Sequence, residues 1–128
     1  EVDKLSARPA LAAPIYPIIS MRTPDAHPGS REKLLGSAPT ATEEQKHSPH
    51  LNVPDNAPPF FVLHAEDDDA VPVENALLLR AALRAKNITV ETHIFAHGGH
   101  GFGLRKAIGK PAEIWPELFL NFVRSQGF

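Results

Sequence analysis

The sequence predicts an α/β fold in which parallel strands are joined by crossover helices, and three stretches of its second half carry that prediction. Phe60 to Ala65 (FFVLHA) is a short apolar run between Pro58-Pro59 and an acidic cluster, the pattern of a buried strand. Val73 to Lys86 contains no helix breaker, and Ala76, Leu79 and Leu83 form an apolar stripe with Glu74, Arg80 and Arg84 as its polar residues. Ile88 to Phe95 alternates, with Val90, Thr92 and Ile94 on one face and Glu91, His93 and Phe95 on the other.

Upstream, Pro9 to Ile19 (PALAAPIYPII) is an apolar run with little alternation, as expected of a strand buried on both faces. Pro14 and Pro17 count against a central strand of full length, so its regular part is expected to be short or irregular. From Ser20 to Pro59 the chain turns polar and proline-rich, with short helices predicted around Ser30–Leu35 and Ala41–His47. Such an excursion serves equally well as a substrate-covering lid or as plain connection. Pro72 stands where a first helical turn tolerates proline, and Asn87 is a reasonable stop for the helix that follows. A glycine-rich loop, Gly98-Gly99-His100-Gly101-Phe102-Gly103, succeeds the alternating strand. The chain closes with a helix predicted from about Glu113 to Ser125, where Trp115, Leu118, Phe119 and Phe122 recur at helical spacing. Pro116 must then lie in its first turn, and the Trp115 stripe reads as core rather than as a sugar platform.

At 128 residues the chain is long enough for one modest core and too short for two domains. Hydrophobic residues make up 42% and charged residues 22%, the balance of a globular chain rather than a disordered one. Its 13 lysines and arginines are scattered and the net charge is -2, so no nucleic-acid partner is expected. No cysteine is present, which excludes disulfides, thiol catalysis and cysteine-ligated zinc. No apolar run approaches the ~20 residues of a membrane-spanning helix, so no membrane segment is expected. No signal peptide is visible, but the chain opens at Glu1 rather than at methionine, so its start says little about targeting.

In open parallel sheets, ligands bind beyond the carboxyl ends of the strands. Two polar segments are expected there: Glu66-Asp67-Asp68-Asp69 after one strand and the loop bearing His100 after the next. A carboxylate and an imidazole on neighbouring strand ends are what a hydrolytic triad needs besides its nucleophile. The acid orients the ring and stabilises the imidazolium, and the ring shuttles the proton. Both segments also have plainer readings. An acidic run before a helix favours the helix dipole, and a glycine loop can carry a histidine without using it. His93, His97 and His100 have no carboxylate at a convincing ligand spacing, so no metal site is assigned. His64, at a strand end, reads as a hydrogen-bonded structural residue.

The stretch from His64 to Asn75 (HAEDDDAVPVEN), followed by His97 to Gly103 (HGGHGFG), resembles the acid and histidine segments of the α/β-hydrolase superfamily. More narrowly it resembles the acetylxylan-esterase-like and feruloyl-esterase-like group related to prolyl oligopeptidases and dienelactone hydrolases. The likeness continues through Tyr16 to Met21, His27 to Arg31, Leu34 to Gly36 and Trp115 to Leu118, and so covers nearly the whole chain. It implies the C-terminal part of an α/β-hydrolase fold, about three parallel strands with flanking helices. In that group the acid stands three residues before the Val of a D-x-x-V-P pattern, which falls on Asp68, with Asp67 the fallback because three aspartates blur the register. The histidine of G-H-G-F falls on His100.

The sequence departs from the group in one respect that matters: no G-x-S-x-G nucleophile elbow occurs. Ser6, Ser20, Ser30, Ser37 and Ser48 precede Asp68, and none lies in such an elbow. Residues 1–128 are therefore expected to form a partial α/β-hydrolase domain whose nucleophile-bearing N-terminal part is absent, with the oxyanion donors missing too. The resemblance implies a serine carboxylesterase acting on an ester substrate, with an acetyl or feruloyl group on a polysaccharide as the class indicated. It implies no cofactor and is compatible with a secreted or periplasmic enzyme, although the residues do not fix the compartment. Two alternatives stay open. One is part of a serine peptidase with the same triad. The other is a non-catalytic, truncated relative acting as an interaction module. Three parallel strands with an open apolar edge need a cover, so the isolated chain is expected to pair with an upstream half, to self-associate or to be marginally stable.

Overall fold

A computed structural model describes residues 6–128. Two short helices, α1 (Pro28–Leu35) and α2 (Ala41–Lys46), precede a βαβ unit of β1 (Phe60–Ala65), α3 (Glu74–Ala85) and β2 (Val90–Phe95), and α4 (Trp115–Ser125) closes the chain. β1 and β2 pair in parallel, from Phe60 opposite Val90 to Ala65 opposite Phe95. The α/β class with a small parallel sheet and flanking helices is as the sequence predicts.

The third strand expected in Pro9–Ile19 is not a continuous strand. Ala12 and Ile15 each form an isolated parallel bridge to β1, at Phe60 and Leu63, on the side away from β2. The cause is Pro14: it accepts from Leu63 N–H (3.1 Å) but has no N–H to return, so the ladder breaks between the two bridges. Tyr16 closes the segment by donating to Leu63 O at 2.6 Å, with a left-handed backbone (φ 42°). The closing helix also begins later than predicted. Pro111–Ile114 form a 3-10 turn, and α4 starts at Trp115 with Pro116 in its first turn.

β1 is the centre of the core because both of its faces are covered. Phe61, Leu63 and Ala65 pack on one side with Phe102, Ala107, Ala112 and Phe122, the last from α4. Val62 packs on the other with Ile19 and with Ala76, Leu79 and Leu83 of α3. The period of two in the strand and the helical stripes of α3 and α4 thus meet in two layers. Trp115, Leu118 and Phe119 pack on the first layer as core residues. β2 is only partly covered along its length.

Two buried polar residues fasten the proline-rich excursion to this frame. Asn75 Oδ1 accepts from the N–H groups of Ile19 and Ser20, both at 2.8 Å, while its Nδ2 donates to Asp25 O and Pro72 O. Ser48 Oγ accepts from Met21 N–H and donates to Glu44 O. No helix among the described residues is long and apolar enough to cross a membrane.

Candidate active site

The parallel register brings the ends of β1 and β2 level. Glu66 N–H donates to Phe95 O at 2.8 Å, continuing the pairing one step beyond the strands. The acidic segment after Ala65 and the glycine loop after Phe95 therefore leave the sheet side by side at its carboxyl edge, where such sheets bind ligands.

Asp68 is the acid that reaches His100. Its Oδ2 lies 2.8 Å from His100 Nδ1, and its side chain is fully shielded from solvent. The same oxygen lies 3.1 Å from His64 Nε2. Its Oδ1 accepts from Ala70 N–H (3.0 Å) and Val71 N–H (2.8 Å), a tight local turn of the kind short acidic side chains form. Burial works to raise the Asp68 carboxyl, but the Val71 N–H, the His100 imidazole and the Ala70 N–H outweigh it and hold the group below the usual carboxylate range.

His64 supports this carboxylate from below. It is completely buried, and its Nε2 also faces Val71 O at 3.0 Å. With two acceptors at Nε2 and no partner at Nδ1 among the described residues, the ring carries its proton on Nε2 and donates it to both. The structural role expected of His64 is thus tied directly to the acid.

His100 sits between Gly99 (φ +68°) and Gly101 (φ +66°), a backbone that residues with a Cβ rarely adopt. Its Nδ1 donates to Asp68, and its Nε2 has no hydrogen-bond partner among the described residues. The Tyr16 ring stands edge-on to the imidazole, with centroids 5.0 Å apart, and also to Phe102 at 5.1 Å. The irregular end of the bridged segment thereby becomes one wall of the site. Backbone strain of this kind at a bulky residue is concentrated at functional sites.

Asp67, the fallback acid, is occupied elsewhere. Its Oδ1 accepts from Gly98 N–H and Gly99 N–H, both at 2.7 Å, and its Oδ2 lies 3.5 Å from His97 Nδ1. The Gly99 and Gly98 N–H groups lower its carboxyl below the usual range. Lys110 Nζ donates to Gly98 O (3.0 Å), and Trp115 Nε1 donates to Gly103 O (2.9 Å), so the glycine loop is held at both ends. Sequence reasoning missed the parts of Asp67, Lys110 and Tyr16. The signals were present in the run of three aspartates and in an aromatic before Pro17, but neither names its partner.

The serines upstream of Asp68 do not meet the pair. Ser20, Ser30 and Ser48 bond within the excursion, to Arg22, His27 and Glu44 respectively. His93 pairs with Glu91 on β2 (2.7 Å), apart from His100. No group of three or more His, Cys, Asp or Glu side chains suited to a metal ion occurs among the described residues.

Known hydrolases are similar to this chain along nearly its whole length. The sequence pattern of the prolyl oligopeptidase family matches residues 10–122. Endo-1,4-beta-xylanase B of Butyrivibrio fibrisolvens is 39% identical over 101 residues, covering 79% of this chain and 16% of that protein. The structure of the acetyl ester-xyloside bifunctional hydrolase of Caldicellulosiruptor lactoaceticus superposes with a TM-score of 0.92 at 38% identity, covering 99% of this chain and 46% of the other. A carboxylesterase from Lactobacillus plantarum shares the fold with a TM-score of 0.75 at 24% identity, over 98% of this chain and 48% of its own. The chain spans about half the length of these solved relatives. Its architecture is that of part of an α/β-hydrolase fold.

Proposed function

We propose that this chain, which belongs to the prolyl oligopeptidase family, supplies the acid and the general base of a serine esterase, Asp68 and His100. The observation that carries this reading is the shielded Asp68 carboxylate 2.8 Å from His100 Nδ1, with no partner for the ring's Nε2 among the described residues. That arrangement fixes the tautomer in which Nε2 can accept a proton.

In the reaction, a serine hydroxyl attacks the ester carbonyl while His100 Nε2 takes its proton. Asp68 stays ionised and stabilises the imidazolium. The tetrahedral intermediate collapses, the C–O bond to the alcohol breaks, and His100 returns the proton to that oxygen. Water then repeats the sequence on the acyl-enzyme, with His100 as base and then acid, releasing the carboxylic acid and the serine. The serine and the oxyanion donors belong to a part of the enzyme outside residues 1–128, since no G-x-S-x-G elbow lies within them. The half-buried Ala12–Tyr16 segment, bridged to β1 on its other side, is where such a part, or a second copy, would cover the sheet.

The substrate class is an ester of a small acyl group on a polysaccharide of the xylan type. The support is the 38% identity to a hydrolase described as acting on acetyl esters and xylosides. The same support favours an ester over the peptide bond that a peptidase of this family would cleave.

Hydrolysis of p-nitrophenyl acetate by the purified chain, beside His100→Ala, tests the division of labour. Neither protein should turn over. Turnover that disappears in His100→Ala would reveal a nucleophile within this chain and overturn the half-site reading.

A further inference from the structure

The bond between Asp68 and His100 does not by itself explain why the ring stays within reach of its acid. His100 rides on a run of glycines, which leaves its backbone the widest choice of conformations. Something must restrict that choice. The first residue of the loop, Gly98, is restrained on every side. Its N–H goes to Asp67 Oδ1 at 2.7 Å, its C=O receives Lys110 Nζ at 3.0 Å, and a Cβ at this position would stand 2.9 Å from Ala65 Cβ. The next N–H, of Gly99, goes to the same Asp67 oxygen at 2.7 Å. Two successive N–H groups converging on one carboxylate oxygen form a small anion-holding nest, here filled by a side chain of the neighbouring strand end. Because the acceptor is charged, both bonds are of the strong kind.

Only Gly99 separates this anchored peptide from His100. Two Cα–Cα steps, about 7.6 Å of chain, span the distance from the fixed point to the ring-bearing residue. Asp67 and Asp68 are adjacent on the same turn, so the turn that presents the acid also holds the loop that presents the base. One rigid element sets both ends of the Asp68–His100 bond.

We propose that Asp67 is a positioning residue which, with Lys110, clamps the Gly98–Gly99 backbone and thereby holds His100 Nδ1 on Asp68. The proposal rests on the reading of Asp68 and His100 as acid and base only for its catalytic meaning; the clamp itself is readable without turnover. A misplacement of about 1 Å in a reacting group can cost ~100-fold in rate, which is the scale on which such a clamp matters.

The test is the tautomer of His100 in the full chain, read from its ring 15N shifts at a pH where the imidazole is neutral. Wild type should show the proton on Nδ1. Asp67→Ala should move the ratio of the two tautomers roughly tenfold toward Nε2–H, the equivalent of one lost hydrogen bond. Asp67→Asn keeps a carbonyl oxygen for the two N–H groups and should restore much of the wild-type ratio, which a general loss of stability would not do. Should Asp67→Ala fail to fold, Lys110→Met decides: it leaves the core intact and should shift the ratio in the same direction. An unmoved ratio in a folded Asp67→Ala, or in Lys110→Met where that variant decides, overturns the clamp. If wild type itself lacks the Nδ1–H tautomer, the Asp68–His100 pair has failed instead, and Asp68→Asn will leave the ring shifts unchanged.

Discussion

His64 and His100 share one oxygen of Asp68: Oδ2 lies 3.1 Å from Nε2 of the buried ring and 2.8 Å from Nδ1 of the exposed one. Each ring donates from a different nitrogen, so the carboxylate is approached from below by the core and from above by the glycine loop. A consequence is that His64 helps to hold the acid in place. Replacing it with Phe removes the donor while preserving a flat apolar body, leaving Val71 O and one lone pair of Asp68 without their partner. A loss of about 1–3 kcal/mol is expected in urea unfolding.

Two of the lowered carboxyls, those of Asp67 and Asp68, lie at the site and add to the acid sensitivity of the fold. Unfolded aspartates titrate near pH ~3.9, and Asp67 and Asp68 lie below that in the native state. Native pKa values below unfolded ones mean that their contribution is fully present above the unfolded value and is lost as pH falls through the folded values. The urea midpoint should therefore be insensitive to these groups near neutrality and fall in acid, below about pH 4. The Asp67→Asn and Asp68→Asn variants should each show a shallower acid decline. An unchanged decline in both would contradict the hydrogen-bonding assigned to them.

Gly98 and Gly99 should respond differently to alanine. At Gly98 the added methyl meets Ala65 and the Phe102 ring, an overpacking that costs about 1–3 kcal/mol and pushes the loop off its seat. At Gly99 the methyl meets nothing within 4 Å among the described residues, but the backbone is left-handed, where a Cβ costs roughly 1 kcal/mol. Urea unfolding of the two variants checks the order, with Gly98→Ala the more damaging.

Asn75 ties residues 19–25 to the start of α3 through three hydrogen bonds, makes a fourth to Pro72 O, and is completely buried. Asn75→Ala leaves Ile19 and Ser20 without their acceptor, at about 1–3 kcal/mol for each buried N–H that water cannot reach. Of His64→Phe, Asp67→Asn and Asn75→Ala, the last is expected to lower the urea midpoint at neutral pH most.

The elements with a strong period were legible in the sequence. FFVLHA spans β1 to the residue, and the apolar stripe Ala76, Leu79, Leu83 is the buried face of α3. The meeting of Asp68 and His100 was legible too, because the resemblance in D-x-x-V-P and G-H-G-F sets their register and parallel strands deliver the two segments to one edge. What could not be read depended on partners distant in sequence. Asp67 meets backbone N–H groups 31 and 32 positions away, and amide donors leave no mark in residue identity. Tyr16 reaches His100 only because Pro14 breaks the ladder and the chain turns left-handed at its end. The two prolines announced irregularity without saying where it would aim the ring.

A chimera gives the strongest measurement. This chain replaces the matching portion of the Caldicellulosiruptor lactoaceticus hydrolase, to which it is 38% identical, and kcat for p-nitrophenyl acetate is measured for the chimera and its variants. Asp68 and His100 should serve as the chimera's acid and base: the chimera should turn over, Asp68→Asn should lose ~10⁴ in kcat, and His100→Ala should lose at least as much. A folded chimera whose turnover survives both substitutions would contradict that assignment.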